Sequence, residues 1–235
     1  MNKDSSRPPI VELRGVRFDQ VEAPPLDLGI GPGELAFVDG VSNIQRSPLA
    51  DCIQGSKAAV DGEVLFEGLS WERRNTHEIE SARRSIGRIF GSASAVSSWV
   101  QNLNVTDNVL LAQRFCRGVS ETDLIQRAEG LAQRFGLASL PRSRPAATPT
   151  EKLALSQWVR AFLPDPLRLL ILEQPASRAP ESSLHALLEA VSDARAGGGA
   201  VLWIDKQSDI GLDLEQLAPN QTFSLASAGG IQPKG

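Results

Sequence analysis

The chain contains no tyrosine, one methionine and two histidines, and aromatic residues make up only 5% of it. The two histidines, His77 and His185, have no partner at metal-ligand spacing, and His185 falls in an amphipathic helical pattern; both read as structural or surface residues. Cysteine is equally scarce. Cys52 and Cys116 do not form a metal-type pair and both fall in predicted helices, and two well-separated thiols fit a reducing cytosol better than a disulfide scaffold. No run approaches the roughly 20 apolar residues needed to span a bilayer. The opening MNKDSSRPPI lacks the apolar core of a secretory signal. These absences predict a cytosolic protein that meets a membrane only through a partner. An excess of positive charge is also missing: the net charge is -4 and the arginines are scattered, so no nucleic-acid partner is expected.

What is present is an ordinary globular balance. With 235 residues, 41% apolar and 22% charged, the chain is one large domain, or a core with a smaller subdomain, able to bury a real interior. Residues 1–9 read as a disordered tail and 10–235 as a single unit. IVELRGVRF alternates at period two and predicts a strand with one solvated face. GPGELAFVD is a turn and a buried strand, VDGEVLFEG is a strand bounded by turn signals, and RSIGRIFG is a short strand. SASAVSSWVQNLN is loop-like. From Val105 the pattern becomes helical through VTDNVLLAQRF and SETDLIQRAEGLAQRFGL, and again over EKLALSQWVRAFL. The apolar runs RLLIL and AVLWI predict central parallel strands covered on both faces, with a helix between them. NQTFSLASAGGIQ suggests a small edge hairpin. Buried strands alternating with helices mean an α/β fold with a mainly parallel sheet.

Between the strand Glu34–Val38 and a helical pattern from Leu49 lies DGVSNIQRSP, the position of a phosphate-cradling loop. Further along come IGRIFG, NVTDNVLL, VRAFLPDPLRLLILEQP and AVLWIDKQSD. In order and spacing these five segments resemble the ATP-binding cassette family, the ATPase subunits of ABC transporters, over nearly the whole chain. The resemblance implies a P-loop NTPase-like cassette: a mainly parallel central sheet, an antiparallel β subdomain, and a helical subdomain over about residues 92–160.

The positions that would handle Mg-ATP depart from the family pattern. Such a loop works because glycines let backbone N–H groups close on phosphates while a lysine bridges them and a hydroxyl holds magnesium. Here Gly40 and Ser47 remain and Ser42 lies in the same degenerate loop, but the second glycine is Gln45, the lysine is Arg46, and Pro48 has no N–H to donate. A flat guanidinium is no geometric substitute for an ammonium. The family's magnesium aspartate aligns with Glu173 and its catalytic glutamate with Gln174, whose amide cannot act as a general base. Gly91 stands at the family's glutamine, and Lys206 at its switch histidine. Gln20 lies near the position of the adenine-stacking aromatic. The resemblance therefore implies no catalytic residue in this chain, no likely cofactor, and Ser47 and Glu173 as the magnesium contacts should Mg-ATP bind at all.

The signature segment, where the family presents backbone donors at a helix N-terminus to the partner's nucleotide, falls on Thr148, Pro149, Thr150, Glu151 and Lys152. It reads as a capping box, with Thr148 as N-cap, Pro149 at the first helical position and Glu151 at the third. Such a terminus would be plugged by its own side chains. In the crevice itself, Arg46 and Lys206 are expected to turn toward Glu173, because unpaired burial of a charge is costly. Trp99 is read as a loop residue past Gly91 that either lines a permease-docking groove or packs in the core; Trp71, Trp158 and Trp203 read as packing residues. Three functions follow as expectations. The leading one is a pseudo-ATPase subunit docked on a membrane permease, or on a second cassette as a homo- or heterodimer, at the inner face of the membrane. The others are a divergent, weakly active ATPase working with a partner, and a cytosolic scaffold or regulator.

Overall fold

A computed structural model describes residues 8–18, 25–39, 43–91, 95–115, 118–206, 217–226 and 230–233; residues 43–47, 224–226 and 230–233 are described by their backbone alone. Two sheets form the frame. The first is antiparallel, built from β1 (Val11–Arg17), β2 (Leu26–Ile30), β4 (Asp61–Phe66) and β5 (Leu69–Ser70) in the order β2-β1-β4-β5. The second has six strands: β3 (Leu35–Asp39), β6 (Ile86–Ile89), β7 (Leu169–Glu173), β8 (Ala200–Asp205), β9 (Gln221–Ala226) and β10 (Gly230–Pro233). Its order is β10-β9-β3-β8-β7-β6, and every pairing is parallel except the β9–β10 edge hairpin. The α/β architecture expected from alternating buried strands and helices is the one observed.

The helices are α1 (Asn43–Ile53), α2 (Thr76–Arg84), α3 (Val105–Leu110), α4 (Glu121–Arg134), α5 (Thr150–Phe162) and α6 (Leu184–Ala196). The charge-rich α2 begins where Asn75 and Glu78 satisfy each other's backbone N–H groups, a reciprocal cap. The helix expected over residues 105–115 is shorter: α3 ends at Leu110, and a 3-10 turn over Gln113–Phe115 follows.

Side chains alternate across a strand at period two, and that rule divides the interior. Ala36, Val38, Ile86, Leu169, Ile171, Leu202 and Ile204 face the antiparallel sheet and α1. Leu35, Phe37, Ile89, Leu170, Leu172, Val201 and Trp203 face the opposite way, into a second core with Leu110, Leu124, Trp158 and Leu187 of the other helices. Trp71, Trp158 and Trp203 are all buried, as packing residues should be.

Candidate functional site

The phosphate-loop position opens at the C-terminal end of β3, where Asp39 pairs in register with Asp205 of β8. Gly40 and Ser42 lie outside the described residues, as does Gln20. Gln45, Arg46 and Ser47 belong to the first turns of α1, with only their backbone described. Pro48 sits inside this helix, so the bond that its N–H would give to the carbonyl four residues earlier does not exist.

Strand periodicity decides what the strand-end acid meets. Glu173 shares a face with Leu169 and Ile171, so it points toward α1 rather than toward α5. On the adjacent strand Arg88 shares the corresponding face with Ile86, and it stands opposite Ile171 in register. The result is a buried ion pair: Arg88 Nε donates to Glu173 Oε1 at 2.7 Å, with side-chain exposures of 3% and 1%. Arg88 Nη1 also donates to Asp51 Oδ1 at 2.7 Å and to Gln54 Oε1 at 3.1 Å, both on α1. Lys57 Nζ lies 3.7 Å from the other Asp51 oxygen. The guanidinium stacks 4.3 Å from the centre of the Phe90 ring, an attractive arrangement for a cation.

The pairing expected between Glu173 and Lys206 is not found. Lys206 is exposed just beyond the end of β8, its backbone N–H donates to its neighbour Asp205 at 2.8 Å, and it makes no ion pair among the described residues. The Arg46 side chain lies outside those residues. The described cation beside Glu173 is Arg88. A lone arginine inside the apolar strand IGRI was the signal for it, since a buried charge has to find an opposite one.

Gly91 and Gln174 do come together beside this pair. A methyl group placed on Gly91 would sit 3.4 Å from Glu173 Cβ and 3.7 Å from Gln174 Oε1, so a side chain would fit there. Gln174 holds a left-handed backbone, φ +47°, uncommon for a non-glycine residue. Its N–H donates to the Ile204 carbonyl and its own carbonyl accepts from Ser177 N–H, which fixes the turn leaving β7.

The start of α5 corrects a second expectation. Pro149, not Thr148, takes the N-cap position, and no side chain caps the helix. The Thr148 hydroxyl is used elsewhere: it donates to the Arg144 carbonyl at 2.9 Å and lies 2.6 Å from the Ser143 hydroxyl. Thr148 closes the preceding 3-10 turn with an extended backbone, φ -107° and ψ 132°, the conformation favoured before a proline, so it belongs to that turn and not to the helix. Glu151 and Lys152 are exposed. Thr148 and Glu151 therefore form no capping box, and the N-terminal turn of α5 is not plugged by them.

Trp99 is 5% exposed and packs in the second core, the core-packing alternative of the two. Arg160 was missed by sequence reasoning. Its guanidinium stacks 4.5 Å from the Trp99 ring and donates to the Ser98 carbonyl and hydroxyl at 2.8 and 3.2 Å, and burial lowers its pKa to about 10. Two concave features stand out among the described residues, of which the first reaches the site at Gln174. A cavity of ≈ 300 Å³ lies among Phe90, Trp99, Thr148, Gln157, Trp158 and Gln174. A wider groove, ≈ 850 Å³, runs between α2 and the 3-10 turn, lined by His77, Arg83, Arg84, Ala112 and Phe115. His77 and His185 are exposed, and His185 Nε2 lies 3.2 Å from Glu189 one helical turn on. Among the described residues no group of three or more histidine, cysteine or acidic side chains is placed to hold a metal, and no helix is long and apolar enough to cross a membrane.

Known proteins resemble this chain along most of its length, although no family model matches it. The methionine import ATP-binding protein MetN of Rhizobium johnstonii is 28% identical over 187 residues, 79% of this chain and 50% of that protein. The phosphonates import ATP-binding protein PhnC 2 of a Synechococcus species is 30% identical over 164 residues, 66% of this chain and 59% of that one. The chain spans about half the length of the curated relatives it matches. Among solved structures, a dimeric bacterial ABC transporter cassette superposes with a TM-score of 0.78 at 16% identity, covering 95% of this chain and 97% of its own. The chain has the fold of an ATP-binding cassette and is, in sequence, a relative of the ATP-binding subunits of ABC transporters.

Proposed function

We propose that this chain is a cassette subunit that docks on a membrane permease, or on a second cassette, without itself hydrolysing ATP. One observation carries the reading. The carboxylate aligned with the magnesium position is already spent on Arg88 at 2.7 Å, and the residue after it is an amide, Gln174, which takes no proton from an attacking water. The donor set does not fit a magnesium ion: a divalent cation beside Glu173 would meet a buried guanidinium, and like charges at that distance repel strongly. Docking on a permease would place the chain at the inner face of the membrane. The groove between α2 and the 3-10 turn suits that contact, because Phe115 is 70% exposed at one side while Arg83 and Arg84 flank the other. An exposed aromatic in a groove that carries Arg83 and Arg84 together with Glu80 and Asp165 fits a partner helix with an apolar anchor and charges of both signs.

The start of α5 favours a second reading, a weakly active ATPase working with an intact partner. With no side chain capping it, its backbone donors remain available to an anion held by the other subunit. Against this, Glu151 stands in the first turn, where a carboxylate competes with a docking anion. Phosphate release separates the two readings. The chain alone, and the chain with a co-purified permease, are assayed with Mg-ATP beside a thermal-shift titration. The leading reading expects no phosphate above background and little stabilisation, whereas a nucleotide at 100 times Kd would add about 2.7 kcal/mol. Phosphate release that scales with the chain and survives purification from other ATPases would refute it.

A further inference from the structure

We infer that Arg88 is a resident cation: its guanidinium sits in a cage of oxygens that would otherwise take a hard divalent ion, and it closes that cage permanently. The inference deepens the reading above and rests on its placing of Glu173 at the metal position. Three oxygens from two elements converge on this one side chain: Glu173 Oε1 at 2.7 Å, Asp51 Oδ1 at 2.7 Å and Gln54 Oε1 at 3.1 Å. Two carboxylates and an amide carbonyl are a hard, all-oxygen set of the kind that magnesium, manganese or calcium selects. They come from α1 and from the end of β7, with Arg88 itself on β6, so the guanidinium joins the helix after the phosphate loop to two strands of the main sheet.

That placement explains why an arginine is present in an otherwise apolar strand. A bound metal ion neutralises such acids and ties their elements together only while it is bound; a side chain on the neighbouring strand does both continuously. The planar fork suits the task, since Nε and Nη1 address two carboxylates at once, and the Phe90 ring at 4.3 Å covers a face of the cation. The packing of α1 on β6 and β7 is therefore independent of divalent ions.

The test is metal uptake without nucleotide. The full-length chain and its Arg88→Ala variant are titrated with Mn²⁺, and bound ion is read from the loss of the free-ion EPR signal. Thermal unfolding is followed in EDTA and in excess Mg²⁺. The native chain should take up no Mn²⁺ and melt identically in both buffers. Arg88→Ala should bind about one Mn²⁺ per chain, melt higher in Mg²⁺, and lose both properties when Glu173→Gln is added. Folding of Arg88→Ala only when metal is supplied would support the inference as well. A folded Arg88→Ala that binds no Mn²⁺, or a native chain that binds it equally tightly, overturns it. If Arg88→Ala stays unfolded at every metal concentration, Arg88→Lys decides. A folded, metal-indifferent lysine variant shows that charge is what the cage requires, whereas an unfolded one shows that the shape of the guanidinium was essential and the inference is wrong. Phosphate release by the native chain would sink the non-hydrolysing reading without altering this titration, so the two fail separately.

Discussion

Replacing Arg88 with methionine removes the guanidinium while leaving an unbranched stem of similar reach. Glu173 is then left with a side-chain exposure of 1% and without its described counter-ion, and Asp51, at 20%, loses its shorter contact. Breaking a buried pair from one side costs about 3–5 kcal/mol, because the remaining charge keeps its desolvation penalty and loses its attraction. In a chain of this size each kcal/mol corresponds to a shift of about 2–4 °C in Tm, so Arg88→Met should lower Tm by roughly 6–20 °C. Glu173→Gln should cost less, about 1–3 kcal/mol, because the amide oxygen can still accept from Nε and Arg88 keeps Asp51 and Gln54. The double variant should be more stable than the sum of the two losses implies, by at least about 1 kcal/mol. Urea unfolding of the four proteins closes the cycle. An Arg88→Met variant within about 0.5 kcal/mol of the native chain, or strictly additive effects, would show that the pair contributes nothing and that the crevice is neutralised by other groups.

The start of α5 gives a sharper contrast between expectation and structure. A capping box would make Glu151→Ala cost about 1 kcal/mol, whereas the exposed, non-capping Glu151 observed here should be replaceable within about 0.5 kcal/mol, as read from urea midpoints. The reciprocal cap at α2 should behave in the opposite way, with Asn75→Ala losing about 1 kcal/mol in the same assay. Trp99→Ala removes a buried indole together with the ring under Arg160, so a loss of about 3–5 kcal/mol is expected; an unchanged melting curve would return Trp99 to the surface. Phe115→Asp lies on an exposed face and should leave stability within about 0.5 kcal/mol while reducing co-purification of a permease. Undiminished capture would place docking elsewhere.

The order of elements was legible in the sequence because it rests on local patterns. Apolar runs such as RLLIL and AVLWI are too uniformly buried for anything but central parallel strands, and the 3.6-residue rhythm of residues 184–196 fits a helix laid over them. The expectation that Gln174, Gly91 and Lys206 depart from the family pattern also rests on residue type alone. Which side chains meet could not be read in the same way. The sequence contains many arginines, and nothing local to Arg88 says that its face of β6 is the one Glu173 uses on β7. That follows from strand register and from the packing of α1, which only the folded chain sets. The same holds at Thr148, whose residue type fits a helix cap but whose hydroxyl is taken by Arg144 and Ser143, because it ends the preceding 3-10 turn in the extended backbone that a residue before proline favours. Sequence alone determined the order and type of most elements, since these follow from residue type and spacing. Tertiary structure decided the partner of the strand-end acid, because a buried charge pairs with whatever opposite charge the packed sheet brings within reach.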